Sequence, residues 1–507
     1  MNSASTSTIH EEPQTGDKTA RDITSAENLI FKNGWQEFGF VLAVMLGQCF
    51  NLTPFGATMY ARWLIADGLG VPGDNGQMSW IAAGFSITTG SFVLVGGRLG
   101  DVYGHRLVWL LALVWSMIWN LISGFARSPA FYDAARGLAG IGAGLMLPTA
   151  VALLGQAYPP GRKRNLAFGL FGALAPFSGA GGSVLEVLLA QLVNPQWIWW
   201  LHAIKNAMNL AIAIFGIPTT IGVGLGGNVD WLGAFLGVAG LILFNFSFNQ
   251  APLVEWASPS VIAPLVIGIV TLLLFAVWEI KGAKSPILPF SIWRAPTFLA
   301  VMVSAFLSFM SFGIFIFYHI QFIHDFRGTT ALQGVAWLAP FTIDGFLAAC
   351  LAAVLISRVP AQVIICGALI AVMVANILTM TAPVSGSYWT APFFAALFAS
   401  FGPDMTFTAA QLVASNTVRR SEQGVAGSLV GTAFNYGYAL GIGLGGTVEA
   451  HTNAGGTEPL RGLRGALYLG CGMAVLGILI VVLFVRVPKD NREGYDDERE
   501  VLEKIAV

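Results

Sequence analysis

Five ionisable side chains stand inside long apolar runs: Glu186, Lys205, Asp344, Asp404 and Glu449. A charge at the centre of a lipid bilayer costs about 2.5–3.5 kcal/mol on insertion scales, so each such group demands a partner or water. The chemistry open to them is reversible protonation. A carboxyl group sealed from water favours its neutral form and a wetted one its ionised form, so a group that alternates between the two links proton movement to a change of shape. Asp344 is the first candidate for that work, because it stands in mid-run with no basic residue near it in sequence. The others have competing roles. Glu186 and Lys205 lie on successive runs and can pair as a structural ion bridge; Asp404 follows Pro403 and can cap a broken helix; Glu449 lies near the end of its run, where water reaches it. His202 and His319 are further titratable groups, although lone histidines more often serve as hydrogen-bonded structural residues.

Polar residues within the same runs supply candidate contacts for a solute: Gln48, Asn51, Asn209, Asn249, Gln321, Gln411 and Asn435. Trp115, Trp119, Phe315 and Tyr436 offer π-faces to a cationic or aromatic ligand. The competing reading of each is helix packing. Cys49, Cys350, Cys366 and Cys471 all lie in apolar runs, without metal-ligand spacing or a disulfide framework, and read as buried small residues. No cofactor or metal is implied.

The elements that must position these groups follow from composition. Of 507 residues, 55% are hydrophobic and only 10% charged, against about 25% charged in soluble domains. So little charge cannot cover a water-facing surface, and the missing solvent is lipid. The net charge of −1 excludes a basic footprint for nucleic acid. A membrane helix needs about 20 apolar residues, and such spans fall at about 38–60, 79–97, 107–126, 136–157, 166–190, 197–217, 231–250, 261–280, 297–322, 333–357, 361–381, 388–412, 424–449 and 465–486. The twelfth is expected to break at Pro403-Asp404. The sequons at Asn51 and Asn245 lie within spans and read as chance matches.

Fourteen spans divide into an N-terminal bundle of six (35–218), a linker and inserted hairpin (219–294) and a C-terminal bundle of six (295–487), between polar cytosolic tails at 1–34 and 488–507. The N-terminal tail has no charged head followed by an apolar core, so it does not read as a cleaved signal peptide. Basic residues set the orientation. With the N-terminus inside, inner loops hold Arg98, Arg106, Arg162, Lys163, Arg164, Lys281, Lys284, Arg294, Arg358, Arg419 and Arg420, and outer loops hold Arg62, Arg127, Arg327, Arg461 and Arg464. Both termini are therefore expected in the cytosol.

Three segments carry further information. Between the second and third spans runs Gly97-Arg98-Leu99-Gly100-Asp101-Val102-Tyr103-Gly104-His105-Arg106, a tight turn with charges where two moving bundles would meet. The fourth span opens with Arg136 ahead of Gly140, Gly142 and Gly144: a costly arginine, then a smooth face for close packing. The arginine either faces protein or snorkels to the interface. The fifth span carries Pro176 with Gly172, Gly179, Gly181 and Gly182 and is expected to kink.

These segments resemble the loop motif, the fourth-helix arginine motif and the antiporter motif of the major facilitator superfamily. Ala139 stands where glutamine is usual in the second, and Ala175 where glycine is usual in the third. A narrower resemblance is carried by Phe248 to Pro252, Gly402 to Phe407, Ser415-Asn416, Gln423 to Val430, Asn435-Tyr436 and Gly446 to Glu449. It points to the fungal branch of fourteen-helix drug:proton antiporters that holds aminotriazole and boron resistance exporters and low-affinity ammonium transporters. The first span lacks the aspartate common in that type and carries Gln48 and Asn51 instead.

The resemblance implies an all-α membrane protein that moves a small polar or amphipathic solute by alternating access, as a proton-coupled exporter. The alternative is uptake of ammonium, a borate-like solute or a metabolite on the same fold. An enzyme would show clustered catalytic groups near an interface, and a sensor a long soluble domain; the sequence offers neither. The implied partners are a small solute, protons and the bilayer, with no nucleic acid, in a monomer of the plasma membrane or the vacuolar membrane. By the same resemblance, Gly97, Arg98, Gly100, Asp101, Gly104, Arg106, Arg136 and Pro176 are gating residues, and Asp101 is expected beside the start of the thirteenth span near Gly424, where a helix N-terminus favours a carboxylate.

Overall fold

The computed structural model describes residues 30–158, 162–224, 226–289, 292–293, 297–355, 358–417 and 423–486. Most of both expected tails, and Arg294, Arg419 and Arg420, lie outside the described residues. The described chain is helical from end to end: α1 (Gly34–Gly68), α2 (Asn75–Tyr103), α3 (His105–Ser123), α4 (Pro129–Ala157), α5 (Arg162–Ala180), α6 (Val184–Leu192), α7 (Trp197–Gly216), α8 (Trp231–Val254), α9 (Pro259–Lys281), α10 (Phe298–Gln321), α11 (Ala331–Trp337), α12 (Ala339–Leu355), α13 (Ala361–Thr381), α14 (Ala391–Thr417), α15 (Gln423–Thr452) and α16 (Pro459–Phe484).

Eleven helical segments are long and apolar enough to cross a membrane, and a bent pair, α5 with α6, makes a twelfth. In the tenth segment, α11 leads directly into α12. α14 and α15, of 27 and 30 residues, have the length to cross and occupy the remaining two expected positions. All fourteen expected spans thus fall on helices. Two local expectations change and a third is met. α1 is 35 residues long and runs eight residues past the expected end, which draws Arg62 out of an outer loop and into the helix. α14 continues through Pro403, so Asp404 caps no broken helix. The kink expected of the fifth span is present, at the glycine end of its Gly172–Gly182 segment, where Gly181–Ser183 forms a 3-10 turn and the axis bends by 52°.

Glycine sets how closely the helices meet. A β-carbon on Gly56 of α1 would lie 1.4 Å from the Gly179 carbonyl oxygen of α5, so these two backbones touch. α2 and α4 meet over Gly140 and Gly144, with the hydroxyls of Thr88 and Thr89 donating to the carbonyls of Gly137 and Gly140 at 2.6 and 3.2 Å. α1 to α7 pack as one group and α10 to α16 as another. The groups meet chiefly along two seams, α2 against α15 and α5 against α12, with smaller contacts of α1 against α10 and α11 and of α6 against α11. The α8–α9 hairpin rests through α8 on α2 and α15. α9 is the outermost element: its side chains are apolar along almost its whole length and mostly exposed, as in a lipid-facing helix. At the foot of the hairpin Asp230 caps α8 and accepts from Trp278 Nε1 at 2.7 Å, while Glu279 accepts from the amides of Ile287 and Leu288.

Candidate transport pathway between the bundles

The turn between α2 and α3 is built as its glycines require. Gly104 has φ 103°, and a β-carbon there would lie 2.6 Å from the Gly222 carbonyl oxygen. A β-carbon on Gly100 would strike the His105 ring. Asp101 lies 3.3 Å from His105 Nε2. Arg106 donates through Nε to the Ile217 carbonyl at 2.9 Å and through Nη2 to that of Ile214 at 3.3 Å, which satisfies the open carbonyls at the end of α7. Arg98 reaches the Asn228 carbonyl at 2.9 Å, ahead of the hairpin. Gly97 faces α15, where a β-carbon would lie 3.3 Å from Ser428 Oγ. The expected contact of Asp101 with Gly424 involves a residue whose surroundings lie outside the described ones.

Arg136 does not snorkel. It is buried in the N-terminal bundle, donates Nη1 to Asn120 Oδ1 at 2.9 Å and lies over the rings of Trp199 and Phe85, 3.9 and 4.7 Å from their centroids. Asn120 is a partner that sequence reasoning missed. It stands on α3, 16 residues away, and nothing in a helical pattern marks one asparagine as facing another span.

The structure brings Glu186 and Lys205 together as an ion pair across α6 and α7, with His202 Nδ1 3.7 Å from Glu186 Oε1. His202 Nε2 also meets the Phe50 carbonyl oxygen at 2.6 Å. His319 pairs with Thr379 Oγ1 at 2.8 Å.

A different arrangement occurs at the α5–α12 seam. A β-carbon on Gly345 of α12 would lie 2.3 Å from Pro176 Cβ of α5 and 2.8 Å from Asp404 Oδ2 of α14. The missing side chain of Gly345 is therefore what lets Pro176 of one bundle and Asp404 of the other converge. Oδ2 of Asp404 and Oδ2 of the neighbouring Asp344 are buried without a hydrogen-bond partner. Both residues are half-buried overall with one oxygen enclosed, and it is Asp404 whose enclosed oxygen lies at the seam.

The polar candidates for the solute separate into groups. Asn249 and Tyr436 are consumed in fixing the hairpin. Asn249 Nδ2 donates to Asn245 Oδ1 at 2.7 Å and to the Ala439 carbonyl at 3.3 Å, Tyr436 donates to the Leu241 carbonyl at 3.0 Å, and Asn245 reaches the Tyr436 carbonyl at 3.2 Å. Asn51 donates to the Ala143 carbonyl at 3.1 Å and lines a small recess inside the N-terminal bundle with Phe50, Ser116, Asn120 and His202. Asn435 turns its amide to its own helix, donating to the Gly431 carbonyl at 3.1 Å beside Gly90 of α2. Gln411 packs against Gly427, and its Oε1 is buried without a partner. Gln48 is buried on α1. Gln321 is a ligand of Glu449, 3.2 Å from Oε1. Trp115 donates to the Leu138 carbonyl at 2.7 Å from a partly exposed position, and Phe315 is sealed in the core. Cys350, expected to be buried, is exposed on α12.

The largest departure lies at the end of the molecule away from the Gly97–Arg106 turn. Glu449, expected to be wet, is 3% exposed and accepts hydrogen bonds from Asn75, Tyr318 and Gln321. Arg62, expected in a loop, is wholly buried against Phe317.

Two helix bundles that meet face to face, with charged groups placed at and beside their contact, have the architecture of an all-helical membrane transporter. The chain belongs to the major facilitator superfamily, whose sequence model matches residues 41–389 and 341–506. It is 37% identical to the low affinity ammonium transporter of Saccharomyces cerevisiae, over 88% of this chain and 88% of that one. It is 35% identical to the aminotriazole resistance protein of the same yeast, over 90% and 85%, and 33% identical to the efflux pump terJ of Aspergillus terreus, over 91% and 92%. These relatives bear out the fungal branch expected from the sequence. The protein is a multi-pass secondary transporter of small molecules, and an efflux pump and an ammonium transporter both match most of its length.

Proposed function

We propose that this transporter exports a small polar or amphipathic solute in exchange for protons, by alternating access between the N-terminal and C-terminal bundles, as a monomer in the plasma membrane. The observation that carries the reading is Asp404, an acid with an unpartnered oxygen where Gly345 lets Pro176 of the opposite bundle approach. A carboxyl group at a seam that opens and closes is wetted in one state and sealed in the other, and its protonation follows. The geometry favours Asp404 over Asp344, the first candidate from sequence, because the side chains flanking Asp344, those of Ile343, Phe346 and Leu347, are exposed to the lipid side. Glu186 and Lys205 neutralise each other and suit a structural role. The Gly97–Arg106 turn guides the bundle at the cytosolic end, and Arg136 ties α4 to α3 and α7 in the opposite half of the same bundle.

Growth of deletion and overexpression strains on aminotriazole, boric acid and methylammonium selects a solute, which is then followed in proteoliposomes. Asp404→Asn keeps the shape of the side chain but cannot titrate. It is expected to abolish proton-driven accumulation and to retain solute exchange. Accumulation at the wild-type rate in both Asp404→Asn and Asp344→Asn overturns the coupling role. The similarity to an ammonium transporter favours one second reading, uptake of a small cation; methylammonium entry that persists without a proton gradient would select it.

A further inference from the structure

We propose that Arg62, Asn75 and Glu449 form the gate that closes the transport pathway at the end of the molecule away from the Gly97–Arg106 turn. The proposal rests on alternating access, and its test reads the shape of the protein rather than transport.

Arg62 is a cation with no exposed surface, and among the described residues no carboxylate lies within 4.0 Å of it. It is held by carbonyls and rings. Nη1 donates to Met59 O at 3.4 Å within α1, and Nη2 crosses to Phe317 O of α10 at 3.1 Å. The guanidinium lies 4.1 Å from the centroid of Trp63, on its own helix, and 4.0 Å from that of Phe317, on the other bundle. Trp63 in turn stacks on His324 beyond α10, 3.6 Å between centroids.

Glu449 of α15 mirrors this division. Its Oε2 accepts from Tyr318 at 3.0 Å and its Oε1 from Gln321 at 3.2 Å, both within the C-terminal bundle. Its Oε1 also accepts from Asn75 Nδ2 at 2.9 Å, across the seam from the first residue of α2. Each charge therefore keeps partners in its own bundle and makes one hydrogen bond to the other. The two are joined through α10, where Phe317 receives Arg62 and the next residue, Tyr318, serves Glu449.

A seam that never opened would be better filled by apolar side chains, since buried charges seldom add net stability. Charges with partners at home suit a seam that is wetted in turn. When the bundles part at this end, Arg62 gives up the Phe317 carbonyl and ring, Glu449 gives up Asn75, and water replaces both. One turn deeper, the Tyr438 hydroxyl reaches Met59 Sδ at 3.2 Å, so Met59 lies beneath the gate.

The test places a reporter there. Met59→Cys is made in full-length protein with Cys49, Cys350, Cys366 and Cys471 replaced by serine, and a membrane-impermeant maleimide is added from the side that the gate faces. Asn75→Ala and Glu449→Gln each weaken a hydrogen bond to a charged group, and labelling is expected to rise about tenfold or more. Arg461→Gln, which removes an exposed ion pair with Glu458 at the same end, should leave it unchanged. A second reporter, Leu467→Cys, is sealed inside the C-terminal bundle and should stay unlabelled in every variant. Labelling of Met59→Cys that stays within about twofold of the parent in both gate variants, or that rises together with Leu467→Cys, overturns the gate. Loss of proton coupling at Asp404 would leave this result untouched.

Discussion

Glu186 has no exposed surface, and its carboxylate faces Lys205 and His202; Arg136 and Arg62 lie against rings and amide or carbonyl oxygens. Asp344 and Asp404 each keep a buried oxygen unpartnered. Pairing makes a charge static, because removing either member leaves the other uncompensated in a low-dielectric interior. An unpaired acid at a seam is free to change protonation. Stability should separate the two kinds. Lys205→Met, which leaves Glu186 with His202 alone, is expected to destabilise by about 3–5 kcal/mol, whereas the double variant Glu186→Gln/Lys205→Met should recover most of that loss. Thermal melting of the purified single and double variants checks it. Equal losses in the single and double variants would show that the charges do not act as a pair.

The hairpin of α8 and α9 shows what a sequence discloses about an element and what it withholds. Its two spans are legible as apolar runs of membrane length. Its seat is not, because the residues that fix it, Asn245 and Asn249, meet Tyr436 and Ala439 some 190 positions away, and a polar residue in a span looks the same whether it faces a solute or another helix. The same limit hid the bond between Asn75 and Glu449, 374 positions apart. Local features were read better: the Gly97–Arg106 turn and the close face of Gly140 and Gly144 follow from residue type alone. Ends and breaks were read worst. Proline in α14 was expected to break a helix that in fact runs through it, as membrane helices can when their surroundings satisfy the freed backbone groups, and α1 continues because no glycine or proline halts it between Gly56 and Gly68. For the hairpin, hydrogen bonds between membrane helices average about 0.6 kcal/mol and reach about 1.7. Asn249→Ala and Tyr436→Phe should therefore each cost about 1 kcal/mol of stability and add when combined, with the apparent affinity for solute unchanged. A change in affinity at constant melting temperature would return both residues to the solute cavity.

At the scale of the whole molecule, orientation decides what each end does. The end with the Gly97–Arg106 turn carries Lys32, Arg98, Arg106, Arg162, Lys163, Arg164, Lys281, Lys284, Arg358 and Arg486, while the opposite end carries Arg127, Arg327, Arg461 and Arg464. Burial of Arg62 within α1 removes it from the second group, which leaves ten against four among the described residues. Basic residues in short loops are retained on the cytosolic side, so the turn should lie in the cytosol and the Arg62–Glu449 gate outside. The helix bounds show where a tag can enter without breaking a span. Pro129 already opens α4, so the outer insertion belongs before it, after Arg127. Tags placed after Lys32, Arg127, Lys284 and Gly455 should read inside, outside, inside and outside. A single reversed tag would remove or add a span between its neighbours. Reversal of all four would turn the molecule over, place the Arg62–Glu449 gate on the cytosolic face, and require the maleimide in the Met59→Cys experiment to be supplied from within.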